Sequence, residues 1–190
     1  LYKEGVDFLH TNKIIEAIHS FEKSLYIRKT LLGENHYKVA LVYTELSRAY
    51  LLNECLSKSE EYLQQARTIY LFSFGERHKD VAINSLDFGH LCQAQGKLEA
   101  AEKHFLSGLK TFREIDKLAH KDLIQTAYQS LSVIYKEQRK YDKAVECLNN
   151  SLELLMDQDI KNFMKIGTHF MHIGLIFAIK NEFKQAEFNF

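Results

Sequence analysis

Proline is absent from the 190 residues and glycine occurs only eight times. Strands joined by tight turns need more of both, so the deficit favours helices. A basic excess is missing too: Lys+Arg and Asp+Glu stand at 25 each, for a formal net charge of zero. Nucleic-acid binders draw most of their affinity from neutralising phosphates with Lys and Arg, so no nucleic-acid partner is expected. The three cysteines, Cys55, Cys92 and Cys147, are widely spaced and odd in number. That speaks against a secreted disulfide framework and for a reducing, cytoplasmic setting. No stretch approaches the roughly 20 consecutive apolar residues of a membrane span. The chain opens Leu1-Tyr2-Lys3 with no initiator Met and no signal-peptide pattern, and stops at Phe188-Asn189-Phe190 inside an amphipathic pattern. It therefore reads as a segment of a longer protein.

What is present is a repeat. The loops Leu32-Gly33-Glu34-Asn35-His36, Phe74-Gly75-Glu76-Arg77-His78 and the degenerate Lys117-Leu118-Ala119-His120 place their histidines 42 residues apart. Gly5, Ser47, Gly89, Ser132 and Gly174 follow the same period, with one residue inserted after His120. Around each small residue the same register returns. Four positions before it stand Leu1, Tyr43, Ser85, Tyr128 and Phe170, and three after it Phe8, Tyr50, Cys92, Tyr135 and Phe177. Twelve after it come Ala17, Ser59, Ala101, Ala144 and Ala186, and sixteen after it Phe21, Leu63, Phe105, Leu148 and Phe190. Nineteen after it stand Ser24, Ala66, Gly108 and Ser151.

Offsets of three and four lie on one helix face. Small residues let two helix backbones approach, and large ones fill the space beside them. Short breaks fall at Thr11-Asn12-Lys13, Asn53-Glu54, Gln95-Gly96-Lys97, Gln138-Arg139-Lys140 and Lys180-Asn181-Glu182. Asn12, Gly96 and Asn181 are residue types that tolerate a left-handed turn after a helix. Each unit is thus helix, tight turn, helix. The expectation is one all-α solenoid over 1–190, in units of about 1–35, 36–77, 78–119, 120–162 and an incomplete 163–190.

This rhythm resembles the tetratricopeptide repeat, whose first helix carries a large, a small and an aromatic residue and whose second carries alanine, aromatic, alanine. The usual period of that repeat is about 34 residues. With Leu-Gly-Glu-Asn-His at the linker and Gln95-Gly96-Lys97-Leu98-Glu99-Ala100-Ala101-Glu102 at the inner turn, the longer period looks like the kinesin light chain subclass. The resemblance implies a right-handed superhelix with first helices lining the inside. It also implies an adaptor or scaffold that holds a protein or peptide and is not an enzyme. The proline that usually follows the linker histidine is replaced by Tyr37, Lys79 and Lys121. Where the subclass carries asparagines on its first helices, this chain has Thr44 and Glu45, Leu86 and Asp87, Gln129 and Ser130. The likeness therefore supports the mode of action and not a shared cargo.

The register nominates a partner-binding groove. It comprises Thr44, Glu45, Arg48 and Leu52 with Leu51; Leu86, Asp87 and His90 with Gln93; Gln129, Val133 and Lys136 with Ser130 and Glu137; and Met171, His172 and Leu175 with Ile179. Apolar anchors among single charges of both signs suit an extended peptide or amphipathic helix. For any one of these residues, packing between first helices is the competing role. A second functional reading is a structural solenoid built into a large cytoskeletal or ciliary complex, or flanked by further repeats of the same chain.

No chemistry-bearing motif competes. Equivalent linker histidines lie a repeat apart, too far to share an ion when Zn–N distances are near 2 Å. His169 and His172 share a helix face but have no acidic or cysteine ligand nearby in sequence. Cys92 fills an aromatic slot and Cys147 adjoins Leu148, as small apolar residues do. There is no phosphate loop, nucleophile elbow or His-Glu-x-x-His pattern. No catalytic residue, cofactor or metal is expected.

Overall fold

The computed structural model describes residues 1–115, 119–156, 163–180 and 182–189. Among them it is all-α, with ten helices and no strand. These are α1 (Tyr2–His10), α2 (Ile14–Leu32), α3 (Tyr37–Leu52), α4 (Leu56–Phe74), α5 (Lys79–Ala94), α6 (Leu98–Ile115), α7 (Lys121–Glu137), α8 (Tyr141–Met156), α9 (Phe163–Ile179) and α10 (Phe183–Asn189). The helices pair in sequence, as the register requires. They form two compact units, Leu1–Thr111 and Phe112–Phe190. None of these helices is long and apolar enough to cross a membrane.

The small positions do what the register asks of them. A Cβ on Gly5 would meet the Phe21 ring at 2.6 Å, and one on Gly89 would meet the Phe105 ring at 2.8 Å. Gly108 admits Leu86 in the same way, with its Cδ2 at 2.6 Å from such a Cβ. Each large residue therefore occupies the volume that a side chain on its partner would need. Where the small residue is serine, the residue sixteen later is leucine instead of phenylalanine: Ser47 with Leu63, Ser132 with Leu148. The extra hydroxymethyl is matched by a smaller partner. In the second repeat Ser47 and Ser59 also share a buried hydrogen bond of 2.9 Å between α3 and α4.

The inner turns repeat one backbone motif. Asn12, Glu54, Gly96 and Arg139 all lie at left-handed φ, between 58° and 72°. After each, the next N–H returns to the carbonyl five residues earlier: Lys13 to Phe8, Cys55 to Tyr50, Lys97 to Cys92 and Lys140 to Tyr135, at 2.7–2.9 Å. Glu182 bonds Phe177 likewise at 2.9 Å. This Schellman closure satisfies the orphaned carbonyls of the first helix. Asn181, expected to turn left-handed, lies outside the described residues, as does Phe190.

At the linkers, His36 and His78 cap the next helix. Their Nδ1 atoms accept the N–H groups of Lys38 at 3.1 Å and Asp80 at 3.2 Å. An imidazole here does the work usually given to Ser or Asp. Gly33 and Gly75 precede them at φ 83° and 73°, where a β-carbon is strained. Lys117 and Leu118 of the third linker lie outside the described residues.

The core of the first unit sits between helix layers. Ala17, Phe21, Val42, Leu46 and Tyr50 form one buried cluster. Val39, Tyr43, Ala66, Ile69, Tyr70 and Val81 form the next.

Candidate functional site

In the first unit, the first helices α1, α3 and α5 lie side by side, and the nominated residues of α3 and α5 separate by burial. Thr44 is buried, its hydroxyl donating to the Ala40 carbonyl and paired with the Tyr70 hydroxyl, both at 3.1 Å. Leu86 is buried over Gly108. These two sit in the packing between helices, not on an open face. A second-helix tyrosine reaching Thr44 and a glycine accepting Leu86 draw them inward.

Arg48, Glu45 and Asp87 form a network. The Arg48 guanidinium donates from Nε to Asp87 Oδ1 and from Nη2 to Asp87 Oδ2, each at 3.0 Å, and from Nη1 to Glu45 Oε1 at 3.1 Å. One cation thus joins two carboxylates on neighbouring repeats. Burial raises the Glu45 pKa above the usual carboxylate range, opposed by Arg48 and reinforced by Asp87. His90 lies edge-on to the Phe105 ring at 4.9 Å, and burial holds its imidazole below the ordinary range. Leu52 is exposed beyond this network. The charged groups of this face are thereby engaged with one another.

The second unit differs. α7 and α9 frame a cleft of about 240 Å³, lined by Ser132, Val133, Lys136, Leu148, His172, Leu175, Ile176 and Ile179. Val133, Leu175 and Ile179 are exposed large apolar side chains, and Ile176 and Leu148 are buried beneath. Four nominated residues, Val133, Lys136, His172 and Leu175, meet in this cleft, with Ile179 beside them. Met171 is exposed on the same helix one turn before Leu175. Ile176, Ser132 and Leu148 were not among the nominated groove residues. Leu148 carried a core position in the register, and its alignment beneath small Ser132 was the available signal.

Gln129 turns away from an open role and bonds His169 at 3.2 Å. His169 is buried, with Nδ1 2.7 Å from the Lys165 carbonyl and Nε2 2.9 Å from the Ser151 hydroxyl. It and the exposed His172 therefore do not face a common ion. Among the described residues no group of three His, Cys, Asp or Glu side chains is placed to hold a metal. Cys92 and Cys147 are buried, and Cys55 is exposed.

Comparison with known proteins agrees with this architecture. Tetratricopeptide repeat family models match residues 5–37, 50–114 and 125–154. Protein KINESIN LIGHT CHAIN-RELATED 3 of Arabidopsis thaliana is 25% identical over 177 residues, covering 90% of this chain and 26% of that protein. The chain thus spans about a quarter of the length of the curated relatives it matches. The crystal structure of BtubC (BKLC) from P. vanneervenii superposes with a TM-score of 0.83 at 18% identity, over 97% of this chain and 73% of that one. The Rap conjugation gene regulator of plasmid pLS20, in complex with a Phr peptide, superposes with a TM-score of 0.74 at 16% identity, over 97% of this chain and 49% of that one. The chain is similar to kinesin-light-chain-related proteins, and it belongs to the tetratricopeptide repeat family.

Proposed function

We propose that the protein holds a peptide or helical segment of another protein against its first helices, as an adaptor or scaffold, and that the anchoring point is the α7–α9 cleft. The cleft carries this reading. It is concave, apolar at its floor, and open, with Lys136 and His172 at its edge. The first-helix face of the first unit offers less, because Arg48, Glu45 and Asp87 are already paired. A partner's large apolar side chain entering the cleft gains about 1.5–3 kcal/mol from burial. Polar contacts at the rim then set register more than affinity. The Rap–Phr complex is a case of a similar fold with a bound peptide. No catalytic residue, cofactor, metal or nucleic acid enters this reading. A cytoplasmic, cytoskeleton-associated setting fits the kinesin-light-chain-related relatives.

A second reading is a solenoid built into a larger cytoskeletal assembly and contacted on its second helices. It is favoured by Tyr26, Leu31 and Phe72, which stand 74–84% exposed on α2 and α4. One experiment separates the two. Peptides selected from a displayed random library against the whole chain are titrated into Leu175→Asp and Lys103→Glu variants. Groove binding weakens affinity at least about tenfold in Leu175→Asp, or about 1.4 kcal/mol, and leaves Lys103→Glu unchanged. Normal binding to Leu175→Asp with loss in Lys103→Glu moves the site to the second helices.

A further inference from the structure

We propose that His169 is a proton-operated latch that fastens α9 onto α7 and α8. It stands five residues before the small position of its repeat. The equivalents are Val42, Asn84 and Ala127, none of which titrates. Asn84 shows the neutral form of the same tie, its Nδ2 donating to the Leu63 carbonyl at 3.1 Å, from α5 to α4. At His169 the tie is three-way. The Lys165 carbonyl only accepts, so Nδ1 carries the proton and donates to it at 2.7 Å. Nε2 is then the acceptor for the Ser151 hydroxyl of α8 at 2.9 Å and the Gln129 amide of α7 at 3.2 Å. With 1% exposure, this neutral ring is fully satisfied.

A second proton at Nε2 removes that acceptor and leaves a cation that, among the described residues, only the Lys165 carbonyl answers. Ser151 can turn its hydroxyl towards the Gln125 carbonyl, 3.5 Å away, and accept from the ring. The hydrogen bond survives that rearrangement, but the charge stays buried among groups that, on α7 and α8 as described, are uncharged. From α7 the ring meets Gln129, and from α8 it meets Ser151. His172 on α9 is the titratable side chain among the described residues whose charge acts on it, and as a cation it repels. Burial, helped by that repulsion and opposed by the hydrogen bond to the Lys165 carbonyl, holds the imidazole below its ordinary range. Acid relieves the conflict by letting α9 lift and hydrate the ring. His172, Leu175, Ile176 and Ile179 leave with it, so the cleft is dismantled. This consequence for binding rests on the proposed function, whereas the latch itself does not.

Hydrogen exchange on the whole chain, with no partner present, tests the latch. Rates are corrected for intrinsic exchange and compared at pH 7.5 and 5.0. The α9 amides of the unaltered chain are expected to open at least about tenfold more at pH 5.0 than at pH 7.5. His169→Gln, which keeps a polar side chain that cannot titrate, removes that increment. His169→Asn copies Asn84 and serves if the glutamine variant does not fold. In the unaltered chain, ring NMR must show His169 gaining its proton together with loss of α9 protection. Equal α9 protection at the two pH values, or an undiminished acid effect in both variants, overturns the latch.

Discussion

Arg48 on α3 grips Asp87 on α5 through two parallel hydrogen bonds of 3.0 Å, so a single guanidinium ties the first helix of one repeat to that of the next. Both residues lie where the register places partner-facing charges. Their first duty is to each other. The Arg48 side chain is 39% exposed and that of Asp87 11%, which sets the pair between a surface and a buried ion pair. Asp87→Asn is expected to cost about 1–2 kcal/mol in urea unfolding. In a double-mutant cycle Arg48→Met should cost much less in the Asp87→Asn background than in the original. Additive costs would mean that the pair contributes no coupling.

The Gly89–Phe105 contact predicts a compensated pair. Gly89→Ser forces a side chain into the Phe105 ring and should cost about 1–3 kcal/mol. Adding Phe105→Leu recreates the Ser47–Leu63 arrangement and should recover part of that loss. If the double variant is as unstable as the sum of the singles, the alternation of partner sizes has no packing meaning.

Glu54 and Arg139 sit at φ 59° and 58°, where a β-carbon is crowded. Replacing either with glycine, the residue at the equivalent Gly96, should raise stability by about 0.5–1 kcal/mol despite the greater freedom of the unfolded chain. A lower melting temperature in both variants would contradict the left-handed turn.

Acid should weaken the fold before the carboxylates titrate. His90, His104 and His169 are held below the ordinary imidazole value of 6.5, burial being the first cause in each. Below about 6.5 the unfolded chain therefore binds more protons than the folded one, and stability falls with pH until the folded imidazoles also titrate. Above that value the contribution is fully present. Glu45 works in the opposite sense, since its raised pKa lets the folded chain bind the extra proton above 4.5. Urea midpoints at pH 8, 7, 6 and 5.5 should be level at first and then decline. A midpoint that rises on acidification across that range would show Glu45, not the histidines, in control.

Much of the fold was legible because it is written five times. One glycine beside one phenylalanine says little, but Gly5 with Phe21, Ser47 with Leu63, and Gly89 with Phe105 fix helix faces and phase together. The inner turns were placed correctly, yet Glu54 and Arg139 carry no sign of a left-handed backbone. The closure around them is set by the helix on either side. The nominated residues were legible by their place on the first helices and not by their exposure. Thr44 is taken inward by Tyr70, and Leu86 by Gly108, through contacts from second helices. The opposite charges of Arg48 and Asp87 hinted at a mutual pair, but only the spacing of adjacent repeats shows that they meet.

The claim that the α7–α9 cleft anchors the partner is tested most directly by methyl NMR of the whole chain titrated with a library-selected peptide. The account predicts that the methyls of Val133, Leu175, Ile176 and Ile179 shift and saturate together, while those of the exposed second-helix residues Leu31 and Leu106 stay in place. Saturating shifts at Leu31 or Leu106 with the cleft methyls unmoved would contradict it.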